Sequence, residues 1–462
     1  MNNRTRLRKL ARLPACAAFV ILIGLIGLIG ALSSRAAMAV EIQRVVSPGG
    51  IEAWLVEQHT IPLIAMDFAF KGGTRLDPRG KEGLGNLLSG LLDEGAGELD
   101  AQAFQEQLQA HAIQLGFSID RDSFRGSLQT LSEHRDKAFS LLTLALNEPR
   151  FDAEPIERIR AQILAGLAFE AEDPNQIASK AFFAAAFPDH PYGRPNHGQP
   201  ATVAMLTADD LRDFKARQFT TDRLFIGVVG DITATELATR LDSVFGELPA
   251  HADTDLAALP ALQPATGQTA IIARDMPQTV MMFGMPGLLR KDPDFIPAYV
   301  MNYMLGGGGF TSRLTEEIRE KRGLAYSVYS YLVPLDEAGL YLGGVATQNA
   351  RAGETLDLIR AELERMRDHG VGEEELDNAK TYLIGSYPLR FDSNAKIAGQ
   401  LLGIQMQDLG IDYFDKRNDL IAAVTQADIR RVAERLLDPR RLSLVAVGEP
   451  DGIAAPDAPA LP

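Results

Sequence analysis

Cysteine is almost missing from this chain of 462 residues: there is one, Cys16. A single cysteine excludes an internal disulfide and a Cys₄ zinc site. Tryptophan is as scarce, with one residue, and the seven histidines stand at 59, 111, 134, 190, 197, 251 and 369. No two of these are four residues apart, so no helix offers the paired-imidazole grip of a common zinc site. Positive charge is also short, with 46 Lys and Arg against 61 Asp and Glu and a net charge of −15. A body this acidic repels phosphate backbones, which argues against a nucleic-acid partner. What is present is ordinary for globular proteins: 46% hydrophobic and 23% charged residues exclude a disordered chain and a multi-spanning membrane protein.

The basic residues are unevenly placed. Arg4, Arg6, Arg8, Lys9, Arg12 and Arg35 fall in the first 39 positions with no acid among them, and removing these six positive charges leaves the rest at −21. An apolar run follows at 13–32, then Ala37-Met38-Ala39, a small-x-small cleavage site. This is the order of a secretory leader, so residues 1–39 read as a signal peptide, with Cys16 lost at cleavage near Ala39 and the protein periplasmic or otherwise exported. An uncleaved membrane anchor is the alternative.

The remainder is written twice. At an offset of 218, Thr207 matches Thr425, Asp210 matches Asp428, Arg223 matches Arg441 and Gly230 matches Gly448; at an offset of 220, residues 151–164 match 371–384. Each Thr reads as a helix N-cap with an acidic N3 partner, and the apolar run before each Gly as a buried strand. Residues 51–57 and 63–70 read as a strand pair around a turn. Strands mixed with long helices predict α+β layers, a sheet covered on one face by helices. The expected organisation is two homologous halves, 40–247 and 269–449, with an Ala/Pro-rich linker at 248–268 and a flexible tail at 450–462.

The most informative string is Gly306-Gly307-Gly308-Gly309-Phe310-Thr311-Ser312-Arg313-Leu314-Thr315-Glu316-Glu317-Ile318-Arg319-Glu320-Lys321-Arg322-Gly323-Leu324-Ala325-Tyr326. Taken alone, its glycines are a flexible loop before a helix, and its charges are an i,i+3/i+4 lattice on a solvated face. As a whole, it resembles the second-half signature of the M16 peptidase family, which includes pitrilysin-like and mitochondrial-processing-peptidase-like proteins. Gly72-Gly73-Thr74-Arg75, His190-Pro191-Tyr192-Gly193-Arg194-Pro195 and Asp275-Met276-Pro277-Gln278 belong to the same resemblance. It implies mixed sheets covered by helices (the M16 and LuxS-metallopeptidase-like fold), forming half of a clam-shell chamber.

In that family an H-x-x-E-H helix holds zinc with its two His, uses its Glu as general base, and takes a further ligand from a Glu downstream. After Gly83-Leu84-Gly85, Asn86 stands where the first His belongs, Ser89 where the base belongs and Gly90 where the second His belongs. The expected distal Glu pair is Ala165-Gly166. Asp93 and Glu94 are nearby acids, but two carboxylates without imidazole are atypical for zinc. No metal and no catalytic residue are therefore expected in this chain.

The resemblance also implies an Arg and a Tyr, seven residues apart, that hold the substrate backbone across the chamber; here these are Arg319 and Tyr326, with Arg322 close by. Gly306, Gly307, Gly308 and Gly309 resemble, as a short counterpart with different residues around it, a substrate-contacting glycine loop of the processing-peptidase branch. The expectation is a zinc-free, non-catalytic subunit that binds unfolded peptide for a zinc-bearing M16 partner, with no activity alone. The rivals are a self-sufficient peptidase with unorthodox ligands and a peptide-binding or assembly protein with no proteolytic role.

Overall fold

The computed structural model describes residues 41–252 and 261–454. The expected leader with its cleavage site, Cys16, residues 253–260 of the linker and most of the tail lie outside the described residues. Among those described, no helix is long and apolar enough to cross a membrane.

Two mixed sheets form the frame. The first contains β1 (Gln43–Val46), β2 (Glu52–Glu57), β3 (Leu63–Lys71), β4 (Gln114–Ile119), β5 (Ser123–Leu131) and β6 (Leu224–Gly230), in the order β1-β2-β6-β3-β5-β4. The second contains β7 (Thr269–Ile272), β8 (Gln278–Pro286), β9 (Ala325–Pro334), β10 (Gly339–Gln348) and β11 (Ser443–Val447), in the order β7-β11-β8-β10-β9. Apart from β1, the second order repeats the first. In each sheet the last strand runs parallel to the first of the shared set and antiparallel to the next.

The expected hairpin of 51–57 with 63–70 does not form. β6 lies between β2 and β3. The reason is burial: Ile226 to Gly230 are buried on both faces of the sheet, and such a strand needs neighbours at both edges. The doubled helix starts do form as read. Asp210 N–H donates to Thr207 Oγ1 at 3.3 Å and Asp428 N–H to Thr425 Oγ1 at 3.2 Å, with each carboxylate returned to the Thr N–H at 2.9 Å. Gly230 and Gly448 share a positive φ, 145° and 136°, and a Cβ on Gly230 would strike Leu63 O.

Each sheet packs a core under its own helices, around Phe68, Phe104, Phe139 and Phe214 in one case and Phe283, Met301, Leu363 and Val432 in the other. The opposite faces are not left to solvent, contrary to a sheet covered on one face only. The helices Pro174–Ala186 and Asn394–Met406, counterparts at the 220 offset, are exchanged. The first lays Ala178, Phe182 and Phe183 against Val280, Leu342 and Val445 of the second sheet. The second approaches the first sheet so closely that a Cβ on Gly227 would lie 2.6 Å from Ala398 O, and Gln405 Nε2 donates to Ile226 O at 2.8 Å. The cause is apolar surface on both faces of both sheets, which helices from one side alone cannot cover.

The linker and tail are anchored where they are described. Leu262 N–H donates to Glu337 O and Ala265 N–H to Ala186 O. The tail, expected to be flexible from 450, begins packed: Asp451 N–H donates to Asn349 O and Gly353 N–H to Asp451 O, both at 3.0 Å.

Candidate functional site

The vacated zinc positions lie on a short helix, Leu84–Ser89, entered from Gly83 at φ 95°. Asn86 is half-buried, Ser89 Oγ donates back to Asn86 O at 2.8 Å, and Gly90 ends the helix. A Cβ on Gly90 would lie 2.9 Å from Ile159 Cγ2, so the helix Ala153–Glu172 occupies the space a larger side chain needs. On that helix Ala165 and Gly166 are exposed, and neither carries a donor. Glu94 is paired with Arg158 at 2.5 Å, and Asp93 accepts from Gln105 Nε2 at 3.3 Å, its carboxyl held above the usual range by burial. His190 faces Glu337 at 3.1 Å and packs 4.8 Å from the Tyr192 ring; His197 faces Glu170 at 2.6 Å. Among the described residues no three His, Cys, Asp or Glu side chains are grouped to hold a metal. An amide, a hydroxyl and a hydrogen atom at the motif positions do not fit zinc.

The second-half signature builds a defined arrangement. It contains two π-helical turns, Tyr303–Gly307 and Thr315–Glu320, a geometry that recurs at functional positions. Between them Gly309 takes φ 60°, and a Cβ on Gly306 would strike Ser330 Oγ, so these glycines serve packing and turning. Phe310, which follows them, is 67% exposed, and Tyr326 is 85% exposed. The Arg319 guanidinium lies between these two rings, 4.5 Å from Phe310 and 5.0 Å from Tyr326. Its Nε approaches Glu320 at 3.3 Å, and among the described residues its two terminal nitrogens make no hydrogen bond. Arg322 and Lys321, by contrast, are spent on Glu317, each at 2.7 Å, and hold that carboxyl below its ordinary pKa. The charge lattice is therefore real for those two residues and does not engage Arg319 beyond Glu320.

Phe310 is the residue that sequence reasoning missed; its signal was a large aromatic directly after the glycine run. A guanidinium held between ring faces keeps its plane fixed while its N–H groups remain available for carbonyl oxygens.

Two backbone carbonyls of β9, which begins at Ala325, are taken by side chains. Asn302 Nδ2 donates to Ser330 O at 3.1 Å and Thr315 Oγ1 to Val328 O at 3.4 Å.

The Gly72-Gly73-Thr74-Arg75 and His190-to-Pro195 strings meet at the junction of the halves. Arg75 is buried against Glu337, reaches Asp336 at 3.2 Å, and is 3.7 Å from Asp122. Tyr192 donates its hydroxyl to Asp122 at 2.6 Å and accepts Glu337 N–H at 3.2 Å. Burial pushes Asp122 up to about 6 and Asp77, which accepts the N–H groups of Gly83 and Gly85, up to about 7. This cluster joins the halves and is built for architecture.

Two family models match the chain: Insulinase (Peptidase family M16) over residues 55–199 and Peptidase M16 inactive domain over residues 205–383. The crystal structure of a peptidase M16 inactive domain from Pseudomonas fluorescens superposes with a TM-score of 0.83 at 27% identity, covering 90% of this chain and all of that one. A protease from Helicobacter pylori shares the fold at a TM-score of 0.80 and 19% identity, over 88% of this chain and 99% of that one. Among curated proteins, the non-peptidase homolog YmxG of Helicobacter pylori is 29% identical over 72% of this chain and 77% of its own length. An uncharacterized zinc protease of Streptomyces coelicolor is 27% identical over 88% and 89%. With both of its halves matched, its twice-written fold shared and its zinc positions filled by Asn86, Ser89 and Gly90, this chain belongs to the M16 peptidase family and lacks that family's metal motif.

Proposed function

We propose that this chain is the zinc-free subunit of a two-chain M16 metallopeptidase. Members of the family commonly pair with partners. In this reading a second chain with an intact H-x-x-E-H motif supplies zinc and general base, and this chain closes the chamber and orients unfolded peptide. The observation that carries the proposal is an asymmetry: every metal position is lost, while Arg319 stands between Phe310 and Tyr326 with its terminal N–H groups unspent among the described residues. A guanidinium so placed donates to peptide carbonyls, and the Tyr326 hydroxyl adds a donor beside it. The leader at 1–39 supports an exported, periplasmic site of action.

The test mixes this protein with a zinc-bearing M16 chain from the same cell and measures size and peptide cleavage for each chain alone and for the mixture. Cleavage is expected only in the mixture. Arg319→Ala is expected to lower it about ten- to a hundredfold, the loss of one or two charge-assisted hydrogen bonds, with association unchanged. Chelator-sensitive cleavage by this protein alone would favour unorthodox ligands. Normal turnover in the Arg319→Ala mixture would remove the substrate role.

A further inference from the structure

A second feature of the molecule lies apart from the arginine between the rings. A cleft of about 410 Å³, a size typical of small-molecule sites, lies among the Phe295–Asn302, Asn394–Met406 and Tyr413–Ala422 helices and the Tyr387–Arg390 turn. Arg290, Arg390 and Arg417 line it, and no Asp or Glu does, in a chain of net charge −15.

Arg290 and Arg417 are held by neutral groups. Arg417, 6% exposed, stacks 3.9 Å over the Tyr387 ring and donates to Leu383 O at 3.1 Å and Asn418 Oδ1 at 2.9 Å. Arg290 lies 4.4 Å from the Phe295 ring and donates to Gln407 Oε1 at 3.0 Å and the Tyr413 hydroxyl at 2.7 Å. Among the described residues none of the three forms an ion pair with a carboxylate. The contrast within the chain is sharp: Arg75 meets Glu337 and Asp336, Arg313 meets Glu375, and Arg435 meets Asp292. Buried charge is ordinarily neutralised by a partner, and here the protein supplies stacking and orientation but no counter-charge. Burial lifts Tyr387 to about 12 despite the pull of Arg417, so its phenol stays protonated.

We propose that this cleft binds a small oxyanion, a carboxylate or phosphate carried on an apolar body. Guanidinium forks match both groups bidentately, and the aromatic walls suit the apolar part. Gly403 in the lining leaves room for it, since a Cβ there would meet no atom within 4 Å. Because the Asn394–Met406 helix also covers the first sheet, an occupant holds the exchanged helix to its own half. Bound ligand therefore raises the melting temperature.

The test uses the full chain, calorimetry and thermal melting, and three probes: benzoylglycine, phenyl phosphate and neutral benzamide. The expected result is saturable binding and thermal stabilisation by at least one anionic probe and none by benzamide. The tighter anion identifies carboxylate or phosphate as the recognised group. Arg390→Gln, at the exposed rim, and Arg290→Gln are each expected to weaken that binding at least about tenfold. Because Arg390 is exposed, its substitution leaves the unliganded melt unchanged, so loss of binding there is not loss of fold. Equal binding of benzamide, unchanged affinity in both variants, or no saturation by either anion up to about 10 mM overturns the proposal.

Discussion

Arg319 is fixed by two rings that are themselves largely in solvent, Phe310 at 4.5 Å and Tyr326 at 5.0 Å. At exposed sites such stacking contributes about 0.5–1 kcal/mol per ring, enough to bias one orientation of a long side chain. Phe310→Ala should therefore reproduce part of the Arg319→Ala defect, lowering cleavage by the assembled pair about two- to fivefold, while Phe310→Tyr should leave it near normal. Steady-state kinetics on a peptide series checks this. If Phe310→Ala matches the intact chain, the ring does not position Arg319. At the other half of the family's site, Gly90 faces Ile159 at 2.9 Å from the point where a Cβ would sit. Restoring the metal motif by substitution thus meets a packed neighbour as well as missing donors.

Among the elements, the exchanged helix Asn394–Met406 carries the sharpest consequence. Gly399 lies over Asp67 of β3, whose Oδ2 is 3.1 Å from where a Cβ would stand. Burial raises the Asp67 carboxyl from its usual value to about 6, against a weaker pull from Arg125. A folded-state pKa above the unfolded one means that the folded chain binds more protons between about pH 4 and 6. The stability this group contributes is full below about pH 4 and is lost as pH rises through 6. The melting temperature should fall across that window on this account, and Asp67→Asn should flatten the fall. Thermal melts from pH 4 to 8 on both proteins provide the check; parallel curves would dismiss Asp67 as the cause. Trp54, the one tryptophan and the register partner of Gly227, offers a fluorescence reporter beside the helix contact.

For the molecule as a whole, reciprocal coverage means that neither half completes its layers alone. Residues 40–247 and 269–454 made as separate chains should each lose cooperative melting and should regain it on mixing, read by near-ultraviolet dichroism and calorimetry. A cooperative melt of 40–247 alone at the temperature of the intact chain would contradict this. Much of the frame was legible because the chain repeats itself: Thr207 and Thr425 announced two capped helices, and Gly230 and Gly448 two strand ends. The pairing of strands was less legible, since adjacency in sequence suggested β2 against β3, and only the two-sided burial of β6 explains its insertion. The exchange was hidden because Ala178, Phe182 and Phe183 mark an apolar helix face without saying which sheet it covers. The site divided in the same way. Asn86, Ser89 and Gly90 could be read from motif spacing, whereas the Phe310 ring and the ligand-poor arginines around the cleft depend on distant contacts. Asn394 Nδ2 donates to Leu63 O at 3.3 Å across 331 positions of chain. A ribosome adding about 5–20 residues per second completes β6 on the order of ten seconds or more before it reaches the helix that covers it. Until that helix is made, the chain does not yet hold the element that covers the back of the first sheet, and any factor that handles the chain before it folds has that time in which to act.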